Sequence, residues 1–212
     1  MLDLFDQPGT ERRFAEGAVL LRGLALPREA ELLAAVDAVT AVSPFRNMVT
    51  PGGFTMSVAM SNCGSAGWVT DRKGYRYTAI DPETGNPWPV LPEVFQALAI
   101  EAATRAGYPD FIPDACLVNR YEPGARMTLH QDKNERDYAQ PIVSVSLGLP
   151  AVFLFGGKER GGKTLKLPLH HGDVAVWGGP SRMNFHGVNT VADGTHPLAG
   201  RRRLNLTFRK AL

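Results

Sequence analysis

The stretch "TLHQDKNERD" carries His130 and Asp132 two positions apart. In an extended strand side chains repeat with period two, so both groups project from one face, whereas on a helix they diverge by about 200°. On a strand they can grip one small object. Taken alone, such a pair is an ordinary solvated couple at a strand end; it gains meaning from His186 in "RMNFHGVNT". Two histidines and one carboxylate make the facial triad that holds iron(II) and leaves three coordination positions open. The other histidines suit the part less well. His170 and His171 flank a Gly-Asp turn in "LPLHHGDVAVWGG", which fits a turn or packing role, and His196 in "DGTHPLAG" reads as a solvated loop residue.

A second pattern lies at the end of the chain. In "RRRLNLTFRK", Arg203, Asn205, Thr207 and Arg209 recur with period two, while Leu204, Leu206 and Phe208 alternate with them. One strand therefore points two guanidinium groups and an amide to the same side and packs its apolar side against another layer. Inward arginines need anions, because an unpaired buried charge is very costly. A small dicarboxylate meets that need, since planar guanidinium forks bind carboxylates in bidentate fashion. The bland alternative is a surface charge stripe.

These groups need a rigid β framework, and from Cys116 onward the chain supplies one. "CLVNRYE", "RMTLHQD", "IVSVSLGL", "AVFLFG", "TLKLPL", "DVAVWGG", "NFHGVNT" and "RLNLTFRK" all read as short strands. Runs at this spacing predict a jelly roll. The fold class is mainly β, with an N-terminal α/β elaboration over residues 1–110 and a β core over 111–212. Within the elaboration, helices are predicted over 27–42, opening at Pro27, and over 92–107, stopping at Gly107. "FTMSVAM" reads as a strand, "WVTDRKGYRYT" as a hairpin turning near Lys73 and Gly74, and "IDPETGNPWPVLP" as loop.

At 212 residues the chain is long enough for one sizeable core, and 44% apolar with 21% charged residues excludes a disordered or fibrous class. A net charge of +2 is too small to establish a polyanionic partner by itself. Two cysteines, Cys63 and Cys116, give no disulfide framework and suit a reducing compartment. "MLDLFDQPGT" lacks the basic and apolar regions of a targeting segment, and no apolar run reaches membrane length. The expectation is a cytoplasmic protein with no membrane contact, monomeric by default.

"HQD" with "NFHGV" and the terminal "RLNLTFR" resembles the AlkB family of iron(II) and 2-oxoglutarate dependent dioxygenases, and so do "SPFRNMVTPGGFTMSVAMSNCG", "GYPDFIPDACLVNRYEPGA" and "PIVSVSLGLPAVFLFGG". The likeness covers nearly the full length. It implies a double-stranded β-helix core with iron(II) on His130, Asp132 and His186. It also implies 2-oxoglutarate bound by Asn119, Tyr121, Arg203, Asn205 and Arg209, with O2 as the other co-substrate. The implied reaction is oxidative demethylation of N-alkylated bases of the 1-methyladenine and 3-methylcytosine type, with release of formaldehyde, in DNA repair by direct reversal. The partner would be single-stranded or flipped-base DNA, or RNA.

The hairpin then becomes a nucleotide-recognition lid, with Trp68 and Tyr75 flanking it and Arg72, Lys73 and Arg76 interleaved, a combination that can stack a base and meet phosphates. Arg160 in "GGKERGGK", with Asn134 and Glu135 after the metal aspartate, completes the implied substrate set. One residue departs from the pattern. Bacterial relatives usually carry an acid two positions after the metal aspartate, where this chain has Asn134. An amide keeps a hydrogen bond but loses the attraction of a carboxylate for a cationic base.

Overall fold

In the computed structural model residues 7–212 are described. Residues 1–6, which open the N-terminal stretch read above for a targeting signal, lie outside the described residues. The chain builds thirteen strands and two α-helices among the described residues: β1 (Glu11–Ala15), β2 (Ala18–Leu21), α1 (Glu29–Val42), β3 (Ala59–Gly64), β4 (Gly67–Asp71), β5 (Gly74–Thr78), α2 (Glu93–Arg105), β6 (Ala115–Tyr121), β7 (Met127–His130), β8 (Ile142–Gly148), β9 (Ala151–Phe155), β10 (Leu165–Leu169), β11 (Val174–Trp177), β12 (His186–Val188) and β13 (Arg203–Arg209). A seven-stranded sheet runs β1-β2-β11-β8-β13-β6-β3, a four-stranded sheet runs β10-β9-β12-β7, and β4 with β5 form a separate hairpin.

Period-two alternation sorts the side chains of the large sheet into two cores. From β13, β8 and β6, the residues Leu204, Leu206, Phe208, Val143, Val145, Cys116 and Val118 meet Leu32, Val36, Phe95, Leu98 and Ala102 of the two helices. The opposite face, with Leu117, Tyr121, Ile142 and Trp177, packs against Phe153, Phe155 and Val188 of the small sheet. The layers are therefore helices, large sheet, small sheet. The polar residues of β13, facing between the sheets, are enclosed by apolar walls. The fold is mainly β, the jelly roll that the strand pattern predicts and the double-stranded β-helix that the resemblance implies.

Both helices lie within the predicted spans. A 3-10 turn over Leu26–Arg28 carries Pro27 ahead of α1, and α2 gives way to Gly107, whose φ of 96° suits a residue without Cβ just past a helix end. Two readings need correction, and one hairpin has no counterpart in the strand pattern. "FTMSVAM" is not one strand: residues 54–58 form an irregular loop, and β3 begins only at Ala59, where Arg120 of β6 offers a partner. The β1–β2 hairpin carries no local strand signal. β2 is buried along its length and pairs on one side with β1 and on the other with β11, so it shows no polar alternation. Nor is His196 a free loop residue, since its ring stacks on His171 at 4.2 Å and its Nδ1 accepts the Leu198 and Ala199 amides.

The N-terminal residues add β1, β2 and β3 to the large sheet and cover it with α1 and α2. No helix among the described residues is long and apolar enough to cross a membrane.

Candidate active site

His130 ends β7, and the antiparallel register sets His186 of β12 directly across from it. The two rings stand 4.4 Å apart. The strands come together this closely because residue 187 is glycine; a Cβ there would lie 2.7 Å from the Met127 carbonyl oxygen. Asp132 sits two residues beyond the end of β7 and turns back, with Oδ1 3.7 Å from His130 Nε2 and Oδ2 3.8 Å from His186 Nε2. One ligand atom from each of the three lies within 4.8 Å of the others.

The second ring nitrogens fix the tautomers. His130 Nδ1 lies 2.9 Å from the Thr128 carbonyl and His186 Nδ1 3.1 Å from the Asn184 carbonyl. A carbonyl accepts only, so each Nδ1 carries the proton and each Nε2 offers a lone pair toward Asp132. Electrostatics agree with a metal-ready state. Burial, reinforced by His130, lowers the pKa of His186 to about 3 and keeps it neutral at physiological pH. Burial opposes the charge on Asp132 as well, but Arg209 and the two imidazoles outweigh it and hold the carboxyl well below the usual range.

Behind the triad is a narrow cavity of about 50 Å³, lined by residues that include His130, His186, Asn119, Tyr121 and Arg203. Arg203 is almost fully buried, its guanidinium 4.8 Å from the centre of the Tyr121 ring and its Nη2 donating to Ser146 Oγ at 3.1 Å. Among the described residues its Nε and Nη1 have no partner, and neither does Asn119 Oδ1. No carboxylate of the described residues answers this guanidinium, and burial lowers its pKa. An orphaned fork in the wall of a cavity that also takes in the two metal-ligating imidazoles is what a chelating dicarboxylate would complete. The residues present fit both iron and 2-oxoglutarate.

Asn205 is pinned rather than free. Its amide donates to Ser144 Oγ at 2.8 Å and the Val145 carbonyl at 2.9 Å, while its oxygen accepts from Asn119 and Thr207. It orients its neighbours in the cavity wall. Arg209 has its own anion: Nε and Nη2 donate to Asp132 Oδ2 at 3.0 and 2.8 Å.

The substrate set divides. Asn62 on β3 brackets the backbone of Trp68 through two hydrogen bonds, which fixes β4 against the large sheet. Trp68 stacks beside the exposed Tyr75 at 5.7 Å, and its Nε1–H donates to Asn134 Oδ1 at 3.1 Å. The β4–β5 hairpin thus reaches the loop that carries Asp132. Arg160 is exposed and lies 5.5 Å over the ring of Phe185, next to His186. Glu135 differs from the expectation of a base-contacting carboxylate. It is buried, accepts from Tyr77 Oη at 2.6 Å and Arg182 Nη2 at 3.0 Å, and lies 3.4 Å from Arg209 Nε. Its three partners surround it because they all need an acceptor where water is excluded. The sequence reading missed Tyr77, Ser144, Ser146 and Arg182. The two serines were legible as inward positions of the alternating run "IVSVSLG"; nothing local distinguishes Arg182 from the surface arginines.

Comparison with known proteins agrees with this geometry. Residues 17–209 match the model of the 2OG-Fe(II) oxygenase superfamily. The chain is 56% identical over 212 residues to "Alpha-ketoglutarate-dependent dioxygenase AlkB" of Escherichia coli (strain K12), covering all of this chain and 98% of that protein. A more distant relative, the "DNA N(6)-methyladenine demethylase ALKBH1C" of Arabidopsis thaliana, is 36% identical over 70% of this chain and 38% of its own length. Among solved structures, that of OsALKBH1 superimposes with a TM-score of 0.81 at 30% identity, covering 94% of this chain and 99% of that one. With His130, Asp132 and His186 as its iron-binding triad, the chain belongs to the 2OG-Fe(II) oxygenase superfamily and, within it, to the AlkB-type alpha-ketoglutarate-dependent dioxygenases.

Proposed function

We propose that this protein removes methyl groups from ring nitrogens of alkylated bases, of the 1-methyladenine and 3-methylcytosine type, in single-stranded or flipped-base DNA or in RNA. The observation that carries the reading is the hydrogen bond from Trp68 Nε1 to Asn134, which joins an aromatic hairpin to the loop holding Asp132 two residues away. A flat base stacked on Trp68 lies next to the metal ligands. When bound, iron(II) with 2-oxoglutarate and O2 supplies the oxidation that hydroxylates a C–H bond while the keto acid becomes succinate and carbon dioxide. On an N-methyl group the product is a hemiaminal, which releases formaldehyde and restores the base.

In this reading Arg203 grips the distal carboxylate of 2-oxoglutarate, assisted by Tyr121, and Asn119 and Asn205 shape the wall between. Arg209 holds Asp132 in its ionised, metal-binding form and lies near the carboxylate beside the keto group. Trp68 and Tyr75 stack the base, Asn134 hydrogen-bonds its edge, and Arg160 meets the flanking backbone. Glu135 acts from behind the site. The two free buried cysteines suit the cytoplasm.

Incubation with iron(II), 2-oxoglutarate and a 1-methyladenine oligonucleotide tests the reading by mass. The expected result is an oligonucleotide lighter by one CH2, with one formaldehyde formed for each methyl group removed. Succinate formation without any change in the DNA or RNA oligonucleotide would favour an oxygenase acting on a small molecule or protein instead.

A further inference from the structure

Asp132 binds from a loop, not from a strand, because β7 ends at His130. A ligand on a loop must be held by something; Arg209 holds its carboxylate, and one further buried side chain ties down its backbone. Arg182 spreads its nitrogens over three points of the segment 132–140: Nη1 donates to the Asp132 carbonyl at 2.8 Å, Nη2 to Glu135 Oε2 at 3.0 Å, and Nε to the Gln140 carbonyl at 3.0 Å. The ring of Tyr138 covers the guanidinium at 5.4 Å, while its hydroxyl donates to the Lys133 carbonyl at 2.8 Å. Only 2% of Arg182 is exposed. It stands four residues before His186, so the same side chain ties the segment entering the third ligand to the loop carrying the second.

We infer that Arg182 is a positioning residue of the iron site, setting where Asp132 sits relative to His186 without touching metal, co-substrate or base. This rests on the triad being the iron site. The planar fork is what the task requires, because three acceptors in different directions are met by one rigid group; a lysine ammonium on the same stem reaches one of them. Glu135 is the junction. If Arg182 is lost, the nearest cation to Glu135 is Arg209, at 3.4 Å, which already holds Asp132 Oδ2. Drawing Arg209 toward Glu135 would pull the support from the metal carboxylate, so the loss is felt at Asp132 twice.

The test is anaerobic iron(II) titration of chelator-stripped protein, with thermal melting and the visible charge-transfer absorption of the iron–2-oxoglutarate chelate read alongside. Arg182→Lys should weaken iron binding about 10- to 100-fold, the usual cost of losing a partner behind a metal ligand, and should shift the absorption band. Iron affinity and band unchanged, even with a lower melting temperature, would mark Arg182 as a merely structural arginine and overturn the inference. Should Arg182→Lys fail to fold, Glu135→Gln decides. It loosens one of the three ties and leaves the two carbonyl ties, so weaker iron binding supports the role and unchanged binding refutes it. A wild-type protein that binds no iron would overturn the triad itself, and this role with it.

Discussion

Replacing Arg203 by methionine separates a ligand-binding arginine from a structural one. In the protein without 2-oxoglutarate the guanidinium is buried, with two nitrogens unpaired, one bond to Ser146 and a ring contact to Tyr121. Exchanging a buried charge for an apolar side chain of similar volume is neutral or stabilising, so Arg203→Met should melt at the wild-type temperature or above it. With 2-oxoglutarate the order reverses. At a concentration of about 100 times Kd the co-substrate stabilises the wild type by about 2.7 kcal/mol, which for a chain of this length raises the melting temperature by about 5–11 °C. Breaking the buried carboxylate pair costs about 3–5 kcal/mol, more than a hundredfold in affinity. At the same concentration the variant is at most about 40% occupied and gains about 1 °C or less. Thermal melting of metal-loaded protein under nitrogen, with and without 2-oxoglutarate, measures both effects. An undiminished 2-oxoglutarate shift in Arg203→Met would locate the dicarboxylate pocket elsewhere, and a large fall in the ligand-free melting temperature would show that Arg203 has a structural anion.

Alanine at His130, Asp132 or His186 should abolish iron loading and turnover, and full activity in any of the three would sink the triad. Asp132→Ala should also cost stability by taking from buried Arg209 its nearer carboxylate and leaving Glu135 at 3.4 Å, so less than the about 3–5 kcal/mol of a fully unpaired charge, a loss that His130→Ala does not share and denaturant unfolding can compare. Trp68→Ala should lower the specificity constant for methylated oligonucleotides about five- to 150-fold, the worth of one base stack, while leaving 2-oxoglutarate binding intact; a wild-type constant on every lesion would end the stacking role. Asn134→Asp keeps one oxygen on the Trp68 indole and frees a second, charged acceptor, so the rate ratio of cationic 1-methyladenine and 3-methylcytosine to neutral 1-methylguanine and 3-methylthymine should rise about fivefold; an unchanged ratio refutes the electrostatic argument. In iron-free protein, unfolded His186 takes up a proton below about pH 6.5, whereas the folded residue resists until about 3. Stability should therefore be full above that upper value and fall by an order of 4–5 kcal/mol as pH drops across the window, and a flat urea-unfolding profile, indistinguishable from that of His186→Gln, would contradict it.

Much of the chemistry was written in local pattern. "RRRLNLTFRK" alternates so regularly that inward arginines and outward Leu204, Leu206 and Phe208 follow from strand geometry alone, and β13 bears this out. The spacing of His130 and Asp132, the hairpin around Lys73 and the two helices were likewise readable, because propensity and periodicity act over a few residues. What the sequence left open depends on partners far along the chain. β3 begins where β6 offers a ladder, and β2 is a strand because β11 lies beside it. Arg203 and Arg209 look alike in sequence, yet among the described residues one is left without an anion and the other is bound to Asp132, 77 positions away. Arg182 and Glu135 look like surface charges until the fold buries them together. Which charges meet is decided by the packing of the sheets, since a buried ion is tolerated only where the tertiary structure delivers its counterpart.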